Sequence, residues 1–178
     1  MRAIFAIILA LVFSGFYGEK SAAQPQEEGD GRMKLTSPSF TDGAHIPVKF
    51  TGEGTDINPA LDIEDLPAGT KSLALIVDDP DAPMKTWVHW VVYDIPPASH
   101  IGENSVPGIQ GMNDSGGKNY HGPYPPSGTH RYYFKVYALD KVLKLREGIS
   151  KEDLLGAMKG NILSSAELMG LYERGRKK

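Results

Sequence analysis

Two pairs of polar aromatic residues open two strand-like runs. Trp87 and His89 begin Trp87-Val-His-Trp-Val-Val-Tyr-Asp-Ile95, and His130 and Tyr132 begin His130-Arg-Tyr-Tyr-Phe-Lys-Val-Tyr-Ala-Leu139. Both runs carry the period of two that marks a β-strand. Alternate residues of a strand share a face. Trp87, His89, Val91 and Tyr93 are therefore predicted on one face, as are His130, Tyr132, Phe134 and Val136. Where like ends of these strands meet, an indole, two imidazoles and a phenol converge on one concave spot. Asp78-Asp-Pro-Asp-Ala-Pro83 follows a third apolar run, Ser72–Val77. A residue before proline is biased to extended backbone, so this is a rigid turn holding carboxylates at a strand terminus. A carboxylate beside an imidazole favours its charged form and fixes its tautomer. With a tyrosine hydroxyl and glycine N–H groups, such a constellation is a receptor for a small anion such as phosphate.

The last wall comes from Asn119-Tyr-His-Gly-Pro-Tyr-Pro-Pro-Ser-Gly-Thr129, within a long Gly-, Pro-, Ser- and Asn-rich connection from Pro96 to Gly128. Connections of that length tend to be functional. Tyr120, Gly122 and Pro123 are its candidate contacts. Gly122 permits close approach of backbone to a ligand, and the prolines stiffen the rim. His45, His100 and His121 show no comparable pattern and read as surface residues. Asp79, Asp81, His89 and His130 lack tight ligand spacing, so no metal is expected, and no cofactor either. Without cysteine there is no thiolate nucleophile, disulfide or Cys-ligated metal. Gly-x-Ser-x-Gly and His-Glu-x-x-His are absent, and Gly117-Lys118 lacks the rest of a phosphate loop.

The elements that must position these residues read as mostly β. With 20 Gly and 13 Pro in 178 residues, the chain is turn-rich, and its length fits one domain. Ser72–Val77, apolar throughout, is predicted as a central strand buried on both faces. Ile46–Phe50 is a short edge strand, since Pro47 lacks a donor. The C-terminal part is predicted helical: Ser150-Lys-Glu-Asp153 resembles a capping box, and Leu154, Leu155, Met158, Ile162, Leu163, Ala166 and Met169 follow helical spacing, with Gly160 kinking or splitting the segment. Arg174-Gly-Arg-Lys-Lys178 then reads as a solvated, fraying helix end. A net charge of −3 gives no general pull toward nucleic acid, and none is expected as a partner.

Residues 1–23 form a separate segment. Arg2, a short apolar run and Ser21-Ala22-Ala23 read as a secretory signal cut after Ala23. The run is short for a membrane span, so a periplasmic or secreted location is expected. Residues 24–31 contain no apolar side chain and read as a flexible lead-in to a single domain over residues 32–178.

The motifs Asp78–Pro83, Trp87–Pro96 and Gly122-Pro123 followed by His130-Arg-Tyr132, in that order and spacing, resemble the phosphatidylethanolamine-binding or Raf kinase inhibitor-like family, most of all its exported bacterial branch. Lys71–Leu75 and Ala166–Arg174 are similar to that branch as well. The resemblance covers residues from about Met33 to Arg174. Thr51-Gly-Glu-Gly54 and Asn161 depart from it. It implies a β-sandwich of two antiparallel sheets with C-terminal α-helices. It also implies a pocket for phosphoryl groups of lipid head groups, nucleotides or phosphopeptides. By position, Asp79, Trp87, His89, His130 and Tyr132 match its pocket, with Gly122 and Pro123 as loop wall. A homodimer is implied by analogy alone. The reading that follows is a non-catalytic binding or regulatory protein of the cell envelope. Alternatives are a hydrolase or transferase using a pocket histidine as general base, or an inhibitor docking a protease or kinase on the pocket rim.

Overall fold

The protein is described by a computed structural model over residues 32–175; the segments read as a secretory signal (1–23) and a lead-in (24–31), like residues 176–178, lie outside the described residues. In chain order the elements are β1 (Lys34–Thr36), a 3₁₀ turn (Val48–Phe50), β2 (Leu61–Glu64), β3 (Ser72–Asp79), β4 (Trp87–Ile95), β5 (His100–Ile101), β6 (Ile109–Gln110), β7 (Thr129–Leu139), α1 (Lys151–Met158) and β8 (Ile162–Glu173). They form two antiparallel sheets, one of three strands ordered β1-β2-β5 and one of five ordered β6-β4-β3-β7-β8.

The larger sheet is covered on both faces. On one, Leu73, Leu75 and Val77 pack with Trp90, Val92, Phe134 and Val136 against Leu35, Leu61, Ile63 and Ile101 of the smaller sheet. On the other, Ala74, Ile76, Val88, Val91 and Tyr93 pack against Leu154 and Met158 of α1. Every residue of β3 is consequently buried, which is why its sequence is apolar without alternation. Asp78, at the end of that strand, lies on the helix side. It accepts from Lys135 Nζ at 2.8 Å and Lys151 Nζ at 2.5 Å, tying the start of α1 to the sheet.

The C-terminal part departs from the helical expectation. Ser150 does cap a helix, its hydroxyl accepting from the Asp153 N–H at 3.0 Å. The helix stops after Met158, and Gly160 turns the chain with φ +79°. Ile162–Glu173 is then a strand pairing β7 from Leu139↔Ile162 to Thr129↔Glu173. The reason is tertiary. Without β8 the eleven-residue β7 would present an open row of backbone donors and acceptors at the sheet edge. The alternation of buried Leu168, Gly170 and Tyr172 fits a strand as well as the apolar spacing fitted a helix. Among the described residues there is accordingly one α-helix, and Arg174 follows a strand rather than a helix end.

Ile46–Phe50 also differs. Ile46 bonds to Leu171 of β8 at 2.8 Å, but Phe50 and Thr51 N–H turn back on the Pro47 and Val48 carbonyls. With its φ fixed, Pro47 starts a 3₁₀ turn instead of extending a strand. The long connection contains two very short strands, β5 and β6, that add to opposite sheets.

Candidate functional site

At the ends of β3, β4 and β7 nearest the Asp78–Pro83 turn, the sheet opens into a cavity of about 280 Å³. Asp79, Ala82, Pro83, Trp87, His89 and Tyr132 line one part of it, and His121, Gly122, Tyr124, Pro125 and Pro126 of the long connection close the other.

A β-bulge sets the faces here. Trp90 pairs with Val77 while Val88 pairs with Asp78, leaving His89 as an extra residue in β4. Trp87 and His89 therefore share the sandwich face with Trp90 and Val92, whereas Val91 and Tyr93 turn with Val88 toward the helix. Strict alternation had grouped Val91 and Tyr93 with Trp87 and His89, and the bulge corrects that grouping. On β7 the alternation is unbroken, and Tyr132, Phe134 and Val136 occupy one face.

The polar groups are arranged in two layers. Asp79 is the hinge between them: it is on the cavity wall, its Oδ2 accepts from His130 Nδ1 at 2.7 Å, and its Oδ1 accepts the Asp81 N–H at 2.8 Å. His130 is buried behind the wall, stacked on Tyr132 with centroids 6.5 Å apart. His89 is on the wall, edge-on to Tyr132 at 5.2 Å. Its Nδ1–H donates to the His121 carbonyl at 2.5 Å, which leaves Nε2 as the ring's remaining polar atom. Burial pushes the His89 pKa below the ordinary imidazole value, outweighing the His121 carbonyl and the Asp79 carboxylate. The neutral ring, with an acceptor at Nε2, is the form this environment favours.

Tyr132 is fully buried, and its hydroxyl has no hydrogen-bond partner among the described residues. Burial, with the negative charge of the Asp79 carboxylate and its closeness to the hydroxyl, drives its pKa well up, so the phenol stays protonated; Asp79 is a polar neighbour of the hydroxyl but not at hydrogen-bond geometry. An unpaired buried hydroxyl costs on the order of 1–3 kcal/mol. Here the residue that carries it lines the cavity.

Five of the eight expected contacts, Asp79, Trp87, His89, Gly122 and Tyr132, are on the wall. Three are not. His130 acts from behind through Asp79. Pro123 is buried, its carbonyl accepting from the Gly52 N–H at 3.0 Å. Tyr120 turns to a neighbouring cleft of about 170 Å³, lies edge-on to Trp90 and donates its hydroxyl to the Phe50 carbonyl at 2.9 Å. The second imidazole of the cavity is instead His121, 6.1 Å from the His89 ring, which had read as a surface residue. Gly122 is needed for a different close approach from the one expected. A Cβ there would stand 2.5 Å from the Phe50 carbonyl and 2.7 Å from Asp56 Oδ1.

Asp56 was not visible as a site residue. It holds left-handed backbone, φ 58°, and its Oδ1 accepts the Gly122 N–H at 2.5 Å while Oδ2 lies 3.4 Å from His121 Nδ1. It fixes the His121–Gly122 wall, and through the His121 carbonyl it orients His89. Asp81 is occupied elsewhere, clasped by the Arg131 fork at 2.7 and 2.9 Å, which holds its carboxyl down to about 2. Among the described residues no cluster of three His, Cys, Asp or Glu side chains could hold a metal, and no helix is long and apolar enough to cross a membrane.

The described residues thus form a two-layered β fold with a small, part-polar cavity at the strand ends. The sequence profile of the phosphatidylethanolamine-binding protein family matches residues 36–173, and the chain belongs to that family. It is 51% identical over 151 residues to a UPF0098 protein of Methanothermobacter thermautotrophicus, covering 80% of this chain and all of that one. A UPF0098 protein of Chlamydia muridarum is 48% identical, covering 80% and 99%. Among solved structures, the homolog CT736 from Chlamydia trachomatis superposes with a TM-score of 0.78 at 46% identity, covering 81% of this chain and 99% of that one. E. coli YbcL gives 0.73 at 31% identity, covering 80% and 98%. Membership supports, in general terms, a ligand-binding and non-catalytic protein.

Proposed function

We propose that the cavity receives a small anionic, phosphoryl-bearing group, and that the chain is a binding or regulatory protein exported to the periplasm or the exterior. The observation that carries this reading is the Tyr132 hydroxyl, buried without a hydrogen-bond partner on a residue that lines the cavity beside His89. It can donate one hydrogen bond, and the neutral His89 offers an acceptor at Nε2. A hydrogen phosphate group presents both an anionic oxygen and a P–O–H, which matches that pair. Rigid Trp87, Pro83, Pro125 and Pro126 supply an apolar surround that strengthens such bonds by excluding water. Phosphorylated head groups, including phosphatidylethanolamine as the family's name records, carry this chemistry.

Turnover is not part of the reading. The lining has no Ser, Thr, Cys or Lys to serve as nucleophile. Export rests on Arg2, the apolar run and Ser21-Ala22-Ala23.

Isothermal titration of inorganic phosphate tests the binding reading. The wild-type chain is expected to bind, and His89→Ala to weaken binding at least about ten-fold with little change in thermal midpoint. Equal affinity in the two proteins would remove the cavity from consideration.

A further inference from the structure

An anion received by this cavity needs a counter-charge, and the lining supplies none: it contains no lysine or arginine, and Asp79 adds a negative charge. The neighbouring cations are largely committed. Arg131 forks onto Asp81 at 2.7 and 2.9 Å, Lys85 is 2.6 Å from Asp114, and Lys135 and Lys151 are held by Asp78 on the opposite face of the sheet. Arg174 differs. Its guanidinium lies 4.8 Å above the Tyr124 ring, and Nη2 donates to the Pro126 carbonyl at 3.3 Å. Both of those residues line the cavity. Among the described residues no carboxylate forms an ion pair with it, although the Glu53 carboxylate is near enough to feel its positive charge.

The backbone delivering Arg174 is fixed on both sides. Glu53 accepts from the Tyr172 hydroxyl at 2.5 Å and from the Gly175 N–H at 2.9 Å, bracketing Arg174. The side chain itself is exposed and held by a π face and one long hydrogen bond, contacts that an anion can replace at small cost. A guanidinium offers five donors in a planar fork suited to phosphoryl and carboxylate oxygens.

We infer that Arg174 is a specificity-determining residue of the cavity, the mouth cation that selects ligands carrying an ionised phosphoryl group over neutral ones. This rests on the anion reading above, and adds that the charge is recognised at the rim while hydrogen bonding is done inside by Tyr132 and His89. Glu53, which holds Tyr172 and Gly175 on either side of it, is the positioning residue that aims it.

The test is calorimetric titration of inorganic phosphate into the full chain, its Arg174→Gln variant and its Arg174→Lys variant, at low and at raised ionic strength. Arg174→Gln is expected to weaken binding roughly ten- to a hundred-fold at low salt, and to lose most of the salt dependence seen in the wild type. Arg174→Lys, which keeps the charge but not the planar fork or the seat on the Tyr124 ring, is expected to bind phosphate more tightly than Arg174→Gln and to regain the salt dependence, without reaching wild-type affinity. That recovery separates charge recognition from packing on Tyr124. Wild-type affinity and salt dependence in Arg174→Gln would overturn the inference while leaving the cavity reading intact. Arg174→Lys as weak as Arg174→Gln would overturn it too, since packing and not charge would then be responsible. No phosphate binding by the wild-type chain would remove the anion reading itself and this inference with it.

Discussion

Asp78 and Asp79 are neighbours on one strand, both buried, and they serve opposite ends. Asp78 turns toward the helix, where two lysine ammonium groups meet its two oxygens. Asp79 turns toward the sandwich face, where the His130 imidazole and a backbone N–H meet its oxygens and one side remains on a cavity wall. A carboxylate saturated by cations is a fastener. A carboxylate that orients a ring and borders empty space is part of a receptor. The period of two in β3 separates these roles by a single residue.

Truncating each residue in turn sharpens the comparison. Asp78→Ala leaves two ammonium groups at the helix–sheet contact without their partner. It is expected to cost about 3 kcal/mol of unfolding free energy in denaturant titration, with phosphate affinity within about two-fold of wild type. Asp79→Ala should do the reverse. A stability loss of about 1–2 kcal/mol, from the freed His130 N–H and Asp81 N–H, would accompany a drop in phosphate affinity of at least about ten-fold. If the two variants behaved alike in both measurements, the division between fastener and receptor would fail.

A smaller effect concerns pH. The folded-state pKa of His89 is depressed by burial, so over the acid side of 6.5 the unfolded chain binds more protons than the folded one. Stability is then present above that value and falls as pH drops below it. The stability of His89→Gln, followed by denaturant titration from neutral to mildly acid pH, is expected to fall less steeply than that of the wild type. Parallel pH profiles would mean that His89 is not held in its neutral form.

Much of this was legible in the residues. The boundaries of β4 were read correctly because nine residues of largely apolar and aromatic character end at a proline; the start and burial of β3 were read because an uninterrupted apolar run suits a strand covered twice, but the strand runs on through Asp78 and Asp79, which had read as the start of the turn. Local signals failed where the chain's partners decide. The spacing of Ile162, Leu163, Ala166 and Met169 fits a helix, yet the edge of β7 claims that segment as a strand. The bulge at His89 has no glycine or proline to announce it. Loop geometry was invisible for the same reason. His121 reaches the wall because Asp56, distant in sequence and left-handed in backbone, holds it there, and Arg174 reaches the rim because β8 is a strand ending beside Glu53. Strand periodicity found the residues that strands carry, and missed those delivered by contacts between loops.

The account turns on the Tyr132 hydroxyl, and Tyr132→Phe interrogates it with one atom removed. Calorimetric titration of inorganic phosphate should show affinity lowered about ten-fold, with a thermal midpoint equal to or above that of wild type, because the deleted group makes no hydrogen bond of good geometry to any described residue. Unchanged affinity, or an affinity loss matched by a clear fall in stability, would contradict the claim that this hydroxyl is held in reserve for a ligand.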